Sequence, residues 1–180
     1  MLIQVICFFL GDLKIGLWAI PVTVLIILAN INAVNMIDGQ DGLVGSVGLG
    51  QLLMLLFLSD KLNAVSDFQL LFTLIVLLIV FLGFNMRLPW WKHAAIFMGD
   101  SGSTFIAFLL AWFSIELSQR NATLVNPMIV LWIMAFSIFD LINVIVLRLR
   151  QRKPVLTASR DHCHHMLHTV GIDTALSTFF

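Results

Sequence analysis

Charge is scarce in this chain: only 11% of its 180 residues are Asp, Glu, Lys or Arg, while 60% are hydrophobic. A water-soluble domain of that size could not hide so much apolar surface. Soluble architectures are therefore excluded, and an all-α, polytopic membrane helix bundle is expected. The ten basic and ten acidic residues cancel, which leaves no overall basic field to hold nucleic acid. Cysteine is equally sparse. Cys7 lies in an apolar run and Cys163 among histidines, far apart and without the pattern of a disulfide framework. Apolar residues follow Met1 at once, with neither a basic leader nor a small-residue cleavage site, so the start is not read as a signal peptide.

Long apolar runs dominate what is present. Five stretches, residues 16–36, 43–59, 68–86, 103–118 and 128–147, are each near the length that crosses a hydrocarbon core of roughly 30 Å. Residues 1–10 are too short to span alone and read as the end of a preceding helix or an interfacial piece. Pro21 falls within the first full span and is expected to kink or tighten it. The expectation is one membrane domain over residues 1–180, with residues 148–180 forming a basic, His-rich cytoplasmic tail.

The connections alternate in charge. Lys14, Lys61 and Arg120 fall on one side, and Arg87, Lys92, Arg148, Arg150, Arg152, Lys153 and Arg160 on the other. Basic residues accumulate on the cytoplasmic side, so the second set is placed there. The basic run at 148–153 reads first as a topology anchor, and part of it could also attract anionic lipid or substrate phosphate.

Three polar motifs interrupt the apolar chain, and this topology puts all of them on the cytoplasmic side. The first is NAVNMIDGQDGL, beginning at Asn32. Asn32, Asn35, Asp38 and Asp41 recur every three residues, and on a helix this makes a drifting polar stripe at the mouth of a span. Two carboxylates at this spacing could bind a cation or orient a hydroxyl. Alternatively, Asp41 is merely the N-cap of the next span. Gly39, Gly42, Gly45 and Gly48 keep the same interval and allow close backbone approach.

The second motif is FMGDSG, from Phe97. Asp100 is placed as the N-cap of a span whose positive dipole end faces the loop, an arrangement that favours phosphate. A carboxylate beside a phosphate needs a cation between them, and Mg²⁺ is the usual one. The bland reading is a plain Asp cap. Phe97 is a stacking surface for a base or an interface aromatic beside Trp90 and Trp91. Asn85 ends the preceding span and is a candidate hydrogen-bonding partner.

The third motif is SRDHCHHMLH, from Ser159. Three readings stay open for it: an anion patch for a diphosphate whose His also move protons, a zinc site using Cys163 and the histidines, and a solvated tail without a site.

Together and in this order the motifs resemble those of the polyprenyl-phosphate N-acetylhexosamine-1-phosphate transferases (glycosyltransferase family 4), over about residues 31–171. The resemblance implies membrane helices around a cytoplasm-facing site. There a sugar-1-phosphate passes from a UDP-sugar to a lipid phosphate with Mg²⁺ or Mn²⁺ and release of UMP. It implies that Asn35, Asp38 and Asp41 line the nucleotide and catalytic pocket and that Asp100 is the metal ligand. Phe97 would stack on uracil, and Asn85 would lie on the nucleotide side. His162, His164 and His165, with Arg160, would form the histidine motif that steadies phosphate charge. SRDHCHHMLHTVG is similar to the histidine loop of the GlcNAc-1-phosphate branch, with Cys163 where that branch often has an aliphatic residue.

The implied substrates are UDP-GlcNAc and undecaprenyl phosphate, in a bacterial inner membrane, with membrane lipid around the chain and a homodimer as a candidate assembly. The family's adjacent Asp pair, upstream of the first motif, has no counterpart here. The chain is accordingly expected to be a partial transferase that binds donor but does not turn it over alone. Two rival readings are a proton- or ion-coupled transporter built on intramembrane Asp and Asn, and an inactive membrane fragment.

Overall fold

The computed structural model describes residues 19–86, 94–120, 129 and 132–150, and these form helices and turns only. We number the helices α1 (Ala19–Ile37), α2 (Leu43–Lys61), α3 (Val65–Asn85), α4 (Gly99–Arg120) and α5 (Ala135–Arg150). The regions expected as five spans are thus largely helical where they are described, with Met86 in a bend and Met134 in a turn and with ends shifted by a few residues.

Apolar residues on every face make α3 a helix with no polar side to give to water. Leu71, Ile75, Leu78, Leu82 and Asn85 are buried at alternating steps of four and three, while Leu70, Phe72, Val76, Leu77, Ile79 and Val80 are exposed on the rest of its surface. A helix that is hydrophobic all round needs either a large core or lipid. Among the described helices, α2 and α3 are long and apolar enough to cross a membrane, and α1 carries a shorter apolar stretch at Thr23–Ile37.

The helices pack in a row. α5 lies on α1, α1 on α4, α4 on α2, and α2 on α3. Asn63, at a φ of 52°, turns the chain between α2 and α3, so these two form an antiparallel hairpin. The main core joins α2, α3 and α4 through Leu52, Leu55, Leu71, Leu78, Leu110 and Phe113, and a second cluster joins α1 to α2 and α4 through Val34, Ile37, Val44 and Ala107. A Cβ built on Gly45 would stand 2.6 Å from Leu82 Cδ2, so this glycine lets α2 lie close against α3. Polar side chains tie the helices internally: Asn30 Nδ2 donates to the Ala107 carbonyl at 2.8 Å, and Gln51 Nε2 to Ser137 Oγ at 3.4 Å.

Two expectations change here. The last helix continues to Arg150, and Arg148, expected in the tail as a surface anchor, is only 1% exposed. It falls on the stripe of Ser137, Asp140 and Val144, at steps of three and four, so continuing the helix turns it inward. The polar stripe of the first motif is also not one helix face. α1 stops at Ile37, which leaves Asp38 to Gly42 in a turn.

Candidate active site

The first and second motifs meet at one end of the bundle because α1 and α4 run antiparallel. Asn35 and Ser103 pair near that end, and Asn30 and Ala107 pair one turn deeper. Each motif enters its helix through a glycine in the left-handed region, Gly42 at φ 79° and Gly99 at φ 65°. Side chains with a Cβ rarely adopt that conformation. These glycines, not the aspartates, make the turns into α2 and α4. The N-cap of α2 is Gly42 and not Asp41, and α4 begins at Gly99, so Asp100 lies in its first turn instead of capping it. A carboxylate there still faces the positive end of the helix dipole.

Ser103, which the sequence reading did not select, is the junction. It is 0% exposed. Its hydroxyl donates to Asn35 Oδ1 at 2.8 Å and lies 3.2 Å from the Gly99 carbonyl and 3.3 Å from that of Asp100. Its polarity also acts on the Asp38 carboxyl, so Ser103 sits where the Asn and the Asp of the first motif meet the turn that carries the Asp of the second. The serine in FMGDSGS is the signal that could have pointed to it: one turn into the helix after Gly99, it faces back into the turn.

The electrostatics follow from this closeness. Burial pushes the Asp38 carboxyl above the ordinary carboxylate range, the charge on Asp100 pushes it further, and the Ser103 hydroxyl opposes both. Asp38 and Asp100, close enough for the charge of one to disfavour that of the other, offer hard oxygen donors beside the Asn35 amide oxygen and the Ser103 hydroxyl. A divalent cation would relieve their repulsion, so the residues present fit such an ion. Among the described residues, no three His, Cys, Asp or Glu side chains converge on a metal position.

Asp41 is half-buried in the same turn, Asp100 lies at the exposed edge, and Phe97 is 82% exposed beside it. Asn32, the first residue of the proposed stripe, is exposed and turns its amide back to the Leu28 carbonyl at 2.7 Å. Asn85 is only 3% exposed. Its Oδ1 accepts from the Gly42 N–H at 3.0 Å, and its Nδ2 donates to the Ile96 carbonyl at 2.8 Å. Arg160, His162, His164 and His165 lie outside the described residues, as do Trp90 and Trp91.

An apolar cleft of about 200 Å³ lies between α2, α3 and α4, lined by Leu52, Leu74, Leu78, Phe81 and Ile106 among others, and it reaches Met98 and Gly102 of the second motif.

The family model described as glycosyl transferase family 4 matches residues 2–118 of the chain. The chain belongs to that family. Among its curated relatives is the undecaprenyl-phosphate alpha-N-acetylglucosaminyl 1-phosphate transferase of Yersinia pestis, 34% identical over 164 residues, which cover 89% of this chain and 44% of the relative. The protein of the same name in Escherichia coli K12 is 29% identical over 164 residues, covering 89% of this chain and 43% of that one. A Bacillus subtilis protein described as a probable undecaprenyl-phosphate N-acetylglucosaminyl 1-phosphate transferase is 30% identical over 167 residues, covering 91% of this chain and 44% of the relative. The chain spans less than half the length of these family members.

Proposed function

We propose that this chain carries the donor side of a membrane site that transfers GlcNAc-1-phosphate from UDP-GlcNAc to undecaprenyl phosphate, with release of UMP. The observation that carries the reading is the junction at Ser103, which brings Asn35 and Asp38 of one motif to the Asp100 turn of another. Family membership and the names of the relatives supply the substrate class. The reading includes five crossings of a bacterial inner membrane, with the motifs facing the cytoplasm. The basic asymmetry of the connections and the two apolar helices α2 and α3 support it.

In this reaction an oxygen of the lipid phosphate attacks the β-phosphorus of the UDP-sugar. The new P–O bond forms as the bridging bond to the α-phosphate breaks, and the electron pair leaves with UMP. The protein must hold two anions together and offset their repulsion. Asp100, with Asp38, would hold Mg²⁺ or Mn²⁺, which when bound neutralises diphosphate charge. The first-turn N–H groups of α4 face the phosphates. Ser103 fixes the Asn35 amide and orients Asp38, and Asp41 lines the second face of the pocket. Phe97, exposed at the rim, offers its ring to the uracil. Arg160, His162, His164 and His165 are assigned to the phosphates on the motif resemblance alone. The apolar cleft, reaching the second motif through Met98 and Gly102, suits the hydrocarbon of the acceptor.

The test is binding of UDP-GlcNAc to the protein in lipid nanodiscs, competed by UMP and by the muramoyl-pentapeptide nucleotide. Divalent-cation-dependent binding of UDP-GlcNAc, displaced by UMP but not by the muramoyl nucleotide, is expected. Equal displacement by both nucleotides would reassign the donor, and absence of any nucleotide binding would remove the transferase reading.

A further inference from the structure

The amide of Asn85 sits between the two acidic motifs and touches the backbone of each. Oδ1 accepts from the N–H of Gly42, the residue after Asp41. Nδ2 donates to the carbonyl of Ile96, the residue before Phe97. The side chain is 3% exposed, so almost none of its surface remains for a ligand in the pocket. It is the last residue of α3, and neither of its bonds is to its own helix.

The neighbouring backbone shares the task. The Ala95 N–H donates to the Phe84 carbonyl at 2.8 Å, and that of Ile96 lies 3.4 Å from the same oxygen. The end of α3 therefore holds the returning chain by backbone bonds, while the Asn85 side chain extends the hold to the first motif. Gly42 is left-handed at φ 79°, and its N–H, buried at the start of α2, needs an acceptor from outside its helix. Asn85 supplies it.

We propose that Asn85 is a positioning residue, a strut that sets the separation between the Asp38–Asp41 turn and the Phe97–Asp100 turn, and not a group that contacts nucleotide. Its bonds are to main chain, so they fix where each turn lies whatever side chains the turns carry. A cation held between Asp38 and Asp100 requires its two carboxylates at a set distance, and residues that orient metal ligands through such contacts act on metal affinity. In its ligand arm this inference rests on the transferase reading. In its structural arm it does not.

The experiment uses the full chain in lipid nanodiscs, with Cys7 and Cys163 replaced by Ser and spin labels placed pairwise at Val80, Gly39 and Ala95, all exposed. Val80 reports from α3, Gly39 from the first turn and Ala95 from the returning chain. Asn85→Ala removes both bonds and is expected to broaden the Val80–Gly39 and Val80–Ala95 distance distributions. Asn85→Asp is close in shape, keeps an acceptor for Gly42 and loses the donor to Ile96. It should broaden only the Val80–Ala95 distribution. Should the Ala variant fail to fold, the Asp variant still decides the matter through that asymmetry.

In the ligand arm, Mn²⁺ affinity measured by its own resonance should fall by roughly ten- to hundredfold in Asn85→Ala. UMP affinity measured at saturating Mn²⁺ should change far less. Distances unchanged in both variants, with UMP affinity lost at saturating Mn²⁺, would overturn the strut and make Asn85 a nucleotide contact. If the parent protein binds no nucleotide, the transferase reading fails while the distance measurements still judge the strut.

Discussion

Ser103 on α4 and Asn35 on α1, 68 residues apart in the chain, are joined by a 2.8 Å hydrogen bond in which the serine hydroxyl donates to the amide oxygen. The bond lies where the two acidic motifs face each other, and it fixes the register of α1 against α4 at the mouth of the site. Ser103→Ala removes this donor and leaves the Asn35 oxygen without it, a change that typically costs about 1–3 kcal/mol when the group is buried. We expect a lower unfolding temperature in detergent and weaker UDP-GlcNAc binding. Ser103→Thr, which keeps the hydroxyl, should retain more of both. Identical binding by Ser103→Ala and the parent would remove Ser103 from the site.

The raised pKa of Asp38 gives a pH dependence with a definite sign. The folded carboxyl holds its proton to higher pH than the unfolded one, since burial and Asp100 disfavour its charge. In the cation-free protein the native state therefore binds more protons, and stability falls as pH rises from the ordinary carboxylate range through the raised folded pKa. Asp38→Asn should flatten that limb, as read by thermal unfolding across pH without divalent ions. Added Mg²⁺ should flatten it too, by favouring the ionised form. A parent and an Asp38→Asn protein with the same pH profile would refute the coupling.

Gly42 joins this site to the fold through its backbone angle. Gly42→Ala forces a Cβ into the left-handed region, at a cost of about 1–2 kcal/mol, in the turn that carries Asp41 and receives Asn85. The expected outcome is a lower unfolding temperature together with weaker nucleotide binding. Unchanged stability would mean that the turn relaxes elsewhere.

The apolar cleft yields a separable effect. Leu74→Trp places a larger side chain in the cleft and leaves less room for a hydrocarbon tail. Binding of undecaprenyl phosphate should weaken while UDP-GlcNAc binding is retained, as measured by titrating each into nanodiscs. Equal loss of both, or of neither, would detach the cleft from the acceptor.

The helices were legible because lipid-compatible apolar runs leave little else for a chain to do, and α2 and α3 begin and end close to where their hydropathy changes. The turns were less so. Asp41 and Asp100 read as helix caps by residue type, yet Gly42 and Gly99 make the turns through φ angles of 79° and 65°, and residue type alone does not report an angle. Asp38 and Asp100 were legible as candidates from their motifs. Ser103 was not, because a serine one turn into an apolar helix has no meaning until Asn35 is seen opposite it. Asn85 was visible as a polar residue at a helix end. Its two backbone partners, 43 residues upstream and 11 downstream, depend on tertiary packing. Arg148 was read from its basic neighbours, and helical phase instead turns it inward.

On the transferase reading, Asp100, gathered with Asp38 around Ser103, holds the cation that binds the donor diphosphate. The most direct test is a titration of UDP-GlcNAc into the protein and into Asp100→Asn, each with and without Mg²⁺. The isosteric Asn keeps the shape of the first turn of α4 and removes only the charge. Mg²⁺ is expected to strengthen binding to the parent and to have little effect on Asp100→Asn, whose fold by circular dichroism should be unchanged. The same Mg²⁺ enhancement in both proteins would contradict this reading.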